Sequence, residues 1–320
     1  MAGLVETLAV LRQQGIKNVG TGMEENRRWK GSNFGRTAIL VSKLGIGTGT
    51  EHPSGHCAQA LMRKYELSAL LLFALERGIN FWDTALQYET QPHIREALKQ
   101  VQRDKVVIST KLVSSGSQET IDKLHTALSE LGVDYVDICL VHGVRTEQEL
   151  WCRRGALDAL LQGKEAGKIR AVGISSHGLS ALQAVVKIPE IDLVWARINV
   201  AGLNMDTSDL SLYDQLASVV RLKQLAHAVL PERLITEIRR RSSGVPASEA
   251  NRQVVEETLR SIHAQAKGVV GMKLIAAGRL RDRAPEAVRY VKDLPFVDAF
   301  VIGMLHKEEI IENCRFVEER

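Results

Sequence analysis

Asp83, Lys111 and His142 each close an apolar run, and Tyr88 follows the first of them after a short stretch. The runs are Ile79-Asn80-Phe81-Trp82-Asp83, Val106-Val107-Ile108-Ser109-Thr110-Lys111 and Val136-Asp137-Ile138-Cys139-Leu140-Val141-His142. Successive runs lie about one strand–helix unit apart. A parallel barrel places the groups at the C-terminal ends of its strands around one mouth. The chain is therefore expected to gather a carboxylate, a phenol, an ammonium and an imidazole, and carbonyl reduction is the leading chemistry for that set. Reducing an aldehyde or ketone needs a hydride on carbon and a proton on oxygen. No side chain supplies hydride; a nicotinamide cofactor does. A free phenol, with a pKa of about 10, is a poor acid at neutral pH. A neighbouring ammonium makes the phenolate easier to form, the role expected of Lys111 toward Tyr88. Asp83 would hold Lys111 charged and aimed, and His142 would donate a hydrogen bond to the substrate oxygen.

Each residue also has a plainer reading. Asp83 can cap a helix, Tyr88 can pack a loop ahead of Pro92, Lys111 can reach solvent, and His142 can be a satisfied core histidine. Four groups of the right types at consecutive units favour the joint reading.

The positioning elements repeat. From Leu44 onward, apolar β-like runs alternate with amphipathic helical patterns. Leu44-Gly45-Ile46-Gly47-Thr48 precedes a helix carrying Leu61, Leu67, Leu70, Leu71 and Leu75. The Asp83 run precedes 94–101, the Lys111 run 121–131, and the His142 run 150–161. Ala171-Val172-Gly173-Ile174-Ser175 precedes 179–186; strands six to eight are expected over 193–200, 269–274 and 299–302. Continuous apolar strands, each followed by a helix, imply a parallel sheet covered on its outer side. Eight such units predict an α/β fold, a closed (β/α)8 TIM barrel forming a single domain over 35–320. Residues 1–34 are expected to be an N-terminal extension, with Leu4, Leu8 and Leu11 at helical spacing, and a short strand is expected within 37–42. One interval breaks the rhythm: about 206–252 reads as an insertion after strand six, on the mouth side, with helical stretches over 216–230 and 234–241. It is either a lid or substrate wall, or a decoration or oligomer contact.

Composition sets the class. The 320 residues are 45% hydrophobic and 25% charged, average for a soluble globular protein, with a net charge of only +4. Neither nucleic acid nor a membrane surface is expected as a partner; a small carbonyl compound or alcohol is. The patches Arg27-Arg28-Trp29-Lys30 and Arg239-Arg240-Arg241 read as solvated faces. Cys57, Cys139, Cys152 and Cys314 show no metal-ligand or disulfide spacing, and Cys139 reads as a small buried hydrophobe. With no secretory pattern and no apolar stretch long enough to span a bilayer, the expectation is a cytoplasmic protein.

The motif text points further. Asn80-Phe81-Trp82-Asp83-Thr84-Ala85-Leu86-Gln87-Tyr88, Ser109-Thr110-Lys111 and Leu140-Val141-His142 resemble the tetrad motifs of the aldo-keto reductases. Gly35-Arg36-Thr37 with 44–48 resembles that family's opening, 131–137 its fourth-strand lead-in, and 167–175 its fifth strand. The resemblance runs from about 35 to 318, interrupted by the insertion. It implies a barrel that binds NADPH, less often NADH, without a Rossmann domain, and makes Asp83, Tyr88, Lys111 and His142 the tetrad with Tyr88 as proton donor. It also implies cofactor contacts at Gly47, Thr48, Ser175, Ser176, Asn199, Lys273, Gly278, Gly303, Met304, Glu312 and Asn313. Ser176 stands where the family has asparagine, and Ala196-Arg197-Ile198-Asn199 replaces a glutamine-containing segment. Glu309 stands where an arginine often holds the 2′-phosphate, with Lys307 or His306 as substitutes. Trp151 lines the pocket or is buried on the fourth helix.

Three rival readings stay open. Gly45-Ile46-Gly47-Thr48-Gly49 is a poor Rossmann fingerprint, because its third glycine is misplaced. A metal-dependent hydrolase would use His142 and His177 at adjacent strand ends, but no His-x-His closes strand one and strand eight ends without an aspartate; no metal is expected. A nucleotide-binding regulatory or channel-associated barrel would keep the tetrad and turn over little.

Overall fold

Strand alternation dictates two cores. In the β-runs, odd and even positions must face opposite sides of the sheet, and both sides here are apolar. A computed structural model describes residues 32–52, 54–206, 231, 234 and 249–319. Its strands are β1 (Ser32–Asn33), β2 (Leu40–Val41), β3 (Leu44–Gly47), β4 (Phe81–Asp83), β5 (Val107–Leu112), β6 (Val136–Val144), β7 (Ile169–Ser176), β8 (Leu193–Arg197), β9 (Gly268–Met272) and β10 (Ala299–Gly303). The last eight close into a parallel barrel in sequence order, β10 pairing with β3. The helices are α1 (Lys64–Glu76), α2 (Gln91–Leu98), α3 (Ser117–Leu131), α4 (Glu147–Cys152), α5 (Arg154–Glu165), α6 (Leu179–Val185), α7 (Glu249–Ala264), α8 (Ala284–Lys292) and α9 (Lys307–Glu318). The expected eight-unit barrel is the fold.

Phe81, Val107, Ile138, Leu140, Ala171, Leu193, Trp195, Val270 and Val301 fill the barrel interior. Their sequence neighbours, such as Trp82, Ile108, Cys139, Val172 and Val194, pack outward with the helices. Each such aliphatic side chain, fully buried, stabilises the fold by about 1.5–3 kcal/mol. Cys139 is the small buried hydrophobe expected, its thiol pushed up to about 12 by burial. The antiparallel β1–β2 pair lies ahead of the repeat. Between its strands Phe34 packs edge-on to Phe81 at 5.4 Å and tilted against Trp195 at 6.3 Å, entering the interior core below the mouth. Within the expected strand over 37–42, only Leu40–Val41 is paired.

The starts of several strands are tied by side-chain carboxylates. Asp137, Asp192 and Asp298 accept the backbone N–H groups of Ile108, Val172 and Val269, at 2.9, 2.9 and 2.7 Å. These aspartates are buried and also face basic side chains: Arg103 and Arg170 for Asp137, Arg36 and Lys164 for Asp192, and His263 for Asp298. Conserving the strand ladder's polar balance at this end leaves the opposite end for chemistry.

Helix boundaries differ from the sequence reading where a polar side chain turns inward. The stretch expected as one helix over 150–161 is two, α4 and α5, broken at Arg153. The buried Arg153 guanidinium donates to the carbonyls of Ser114 and His142 at 2.8 Å and thereby joins the ends of β5 and β6. Trp151 is 47% exposed rather than buried on the helix. Of the expected extension, residues 1–31 lie outside the described residues. So do 207–230, 232, 233 and 235–248 of the expected insertion; Glu249 to Arg252, at its end, already belong to α7.

Lys267, 1% exposed, donates to the carbonyl of Val185 at 3.0 Å and to that of Ile188. Burial, with the Arg36 charge adding repulsion, pushes its ammonium down to about 8. Between that value and the unfolded-chain value of about 10.4, the unfolded chain binds more protons, so stability rises with pH. Relative to Lys267→Met, wild-type stability should rise by about 2 kcal/mol between pH 8 and 10. Urea unfolding of both chains at those two pH values checks this.

Candidate active site

Strand phase decides which side chains reach the mouth. Asp83 is two residues beyond the inward Phe81, Lys111 follows Val107 by four, and His142 follows Leu140 by two, so all three face inward at strand ends. Lys111 Nζ donates to Asp83 Oδ2 at 2.6 Å and to the Thr84 carbonyl at 2.8 Å, spending two of its three N–H bonds. Both side chains are almost fully buried, at 2% and 6% exposure. Burial raises the Asp83 carboxyl and lowers the Lys111 ammonium, and in each the partner's charge works against that shift. The Ser109 hydroxyl and the Trp195 indole also favour the charged form of Asp83.

Tyr88 ends a single 3-10 turn, Leu86–Tyr88, and Glu89 after it is left-handed. Its ring contacts the His142 ring edge-on at 5.8 Å, and Lys111 Nζ lies 5.2 Å from its centroid. Gly49 makes this seat: a Cβ there would come within 2.4 Å of the Tyr88 ring. The sequence expectation that Lys111 eases phenolate formation is one of charge, and the ammonium lies close enough to the ring to act that way. No Lys111–hydroxyl hydrogen bond forms among the described residues; Asp83 and Thr84 take two of the three N–H groups. Burial, followed by the Asp83 charge, raises the Tyr88 pKa well above its ordinary value. Tyr88 is thus a firmly protonated phenol.

His142 sits at an irregularity. The β6–β7 register shifts between Val141 and Val144, and Gly143 there has φ 72°, a conformation suited to glycine. Ser175 Oγ accepts the Gly143 N–H at 2.9 Å and fixes the bulge. Burial, then the charges of Lys111, Arg153 and Lys273, hold the imidazole well below its usual pKa, so it is neutral. Gln87 Nε2 contacts His142 Nδ1. The same causes, burial first and then Arg197, hold His177 neutral.

The expected cofactor contacts divide. Ser175 faces inward in phase with Ala171, and Gly47 and Gly303 line the inner face of paired strands. Open space surrounds Gly278, at φ 91°. Lys273, left-handed at φ 58°, reaches Glu51 at 3.5 Å. Four others are turned to internal tasks. Thr48 is buried and bonds to the Asp83 carbonyl and the Thr90 hydroxyl. Ser176, outward by phase, bonds the backbone of Gly178. Asn199 closes its own turn onto Leu203. Met304 packs in the outer core. Glu312 is exposed on α9, and Asn313 donates to the Glu309 carbonyl at 2.8 Å.

Three residues at the site were missed. Arg197 is legible in retrospect, since it stands two residues beyond the inward Trp195. Gln87 and Arg153 carry no sequence signal, because their roles depend on contacts made only after folding. Among the described residues, no three His, Cys, Asp or Glu side chains converge as metal ligands, and no helix is long and apolar enough to cross a membrane.

A model of the Aldo/keto reductase family matches residues 43–320. The chain belongs to that family. It is 28% identical over 131 residues to 2,5-diketo-D-gluconic acid reductase B of a Corynebacterium species, covering 39% of this chain and 46% of the relative. It is 32% identical over 149 residues to methylglyoxal reductase DkgA of Yersinia pestis, covering 46% and 49%. The chain thus spans about half the length of these curated relatives. The fold is shared with an aldo-keto reductase of Bacillus halodurans in its holo form, at TM-score 0.65 and 16% identity, covering 92% of each chain.

Proposed function

We propose that this chain reduces an aldehyde or ketone to an alcohol with a nicotinamide dinucleotide, Tyr88 giving the proton. The convergence of the Tyr88 ring, the His142 ring and the buried Lys111–Asp83 pair at one mouth carries this reading. When bound, the nicotinamide supplies the hydride. The protein does the rest. Neutral His142 donates a hydrogen bond to the carbonyl oxygen and sets its direction. Tyr88 holds its proton until negative charge builds on that oxygen and then releases it. Lys111, within cation–π range of the ring, stabilises the phenolate left behind.

The site fits the cofactor in part. The inward Ser175 hydroxyl keeps its own proton for a carboxamide, and the open backbone at Gly278 leaves room for a dinucleotide. Ser176 and Asn199 hold the Gly178 and Leu203 turns beside it. Selectivity rests on α9: Glu309 Oε2 accepts the N–H groups of Leu305 at 2.6 Å and His306 at 3.3 Å. A carboxylate already satisfies the donors that would greet a phosphate at this helix start. Lys307 lies over Phe73 instead. NADH is therefore the preferred form, shifting the resemblance-based expectation of NADPH. Fluorescence titration should give NADH affinity equal to or above that of NADPH; several-fold tighter NADPH binding refutes the Glu309 argument. Steady-state assays on small dicarbonyls, methylglyoxal and 2,5-diketo-D-gluconate among them, should show turnover. Nucleotide binding without turnover on any carbonyl would replace this reading with the regulatory one.

A further inference from the structure

The backbone around His142 is fixed from two sides. Arg153 Nη1 donates to its carbonyl at 2.8 Å, and the next amide is bound by Ser175. What remains is the imidazole itself. A neutral imidazole carries its proton on one nitrogen and accepts on the other, and only a proton on the nitrogen facing substrate can donate to a carbonyl oxygen. We infer that Gln87 is a positioning residue that holds His142 in the Nε2–H tautomer by donating its side-chain amide N–H to Nδ1. The inference rests on the carbonyl-reduction reading for its consequence, not for its observation.

An amide nitrogen donates and cannot accept, so its contact with Nδ1 makes that atom the acceptor and leaves the ring proton on Nε2. Gln87 is well placed to do this. It occupies the middle of the one-turn 3-10 segment that ends at Tyr88, so the turn delivers the phenol and the tautomer-setting amide together. Tyr88 in turn packs edge-on to the same imidazole. The charges that act most on the ring, Lys111, Arg153 and Lys273, are cationic and, with neighbouring His177, disfavour a second ring proton. They keep the ring neutral but do not choose the nitrogen that bears the proton. Gln87 makes that choice. The proton-donating phenol and the hydrogen-bond donor to the carbonyl are thereby set by two consecutive side chains.

The test is 15N NMR of the full chain with labelled histidine, His142 being assigned by loss of its signals in His142→Gln. Neither cofactor nor substrate is needed. The wild type should show a protonated Nε2 and an unprotonated Nδ1. Gln87→Leu should yield a mixture of tautomers. Gln87→Glu, whose carboxylate only accepts, should move the proton to Nδ1. Its kcat should then fall by roughly 10²-fold, the cost of losing one aligned donor at the reacting oxygen, with nucleotide affinity unchanged. A wild-type Nδ1–H tautomer, or a tautomer unaltered in Gln87→Leu, overturns the inference even if the enzyme reduces carbonyls. A correct tautomer in a protein without turnover would sustain it while the carbonyl-reduction reading failed.

Discussion

Tyr88→Phe is expected to lower kcat for carbonyl reduction by roughly 10²–10⁴-fold, the span that a positioned general acid contributes. The variant keeps the ring, and with it the packing against Gly49 and the edge-on contact with His142. Only the hydroxyl is lost, so stability and nucleotide affinity should stay at wild-type values. The wild-type pH profile carries the same argument. Burial and the Asp83 charge raise the Tyr88 pKa, so the phenol stays protonated through neutral and mildly alkaline pH. Reduction driven by this acid should remain level there and decline only in the strongly alkaline range, as the phenolate forms. A kcat/KM profile falling through pH 7 would assign the proton to another group. Unchanged turnover in Tyr88→Phe would remove Tyr88 from the chemistry altogether.

The barrel was legible because its signal is redundant. Each of eight apolar runs announces itself, and an error in one leaves the closed fold standing. The mouth residues were legible for a related reason: Asp83, Lys111 and His142 end such runs, so strand phase alone turns them inward. Cofactor contacts lack that redundancy. Ser176 and Ser175 are adjacent in sequence, yet alternation sends one outward to the Gly178 turn and leaves the other facing the mouth. Asn199 lies past the strand end, where phase no longer applies, and its amide closes a turn. The break at Arg153 was hidden because the carbonyls it reaches, those of Ser114 and His142, belong to other elements. The Tyr88–Lys111 neighbourhood and the hold of Asp83 on the ammonium were legible; the competition from the Thr84 carbonyl was not, since a backbone acceptor carries no residue signal.

Those contacts give Lys111→Met two distinct effects. Removing the ammonium strands Asp83 in a site where only a few per cent of the side chain meets water. Breaking one side of a buried ion pair costs about 3–5 kcal/mol, so the variant should unfold at markedly lower urea concentration. The loss should depend on pH in a defined direction. An unpaired buried Asp83 has a folded pKa raised above its unfolded value, so the folded state binds the extra proton and the variant is most stable below that unfolded value. Its stability should fall as pH rises through the raised folded value, making it more stable near pH 5 than near pH 8. Asp83→Asn combined with Lys111→Met removes both charges and should recover much of the stability, since a neutral replacement of a buried pair is often tolerated. Turnover should stay low in the double variant, because the phenolate formed at Tyr88 would still lack its cation. Recovery of turnover together with stability would show that the pair only holds the barrel mouth together. Recovery of stability alone separates the two tasks of Lys111, one structural through Asp83 and one chemical through the ring of Tyr88.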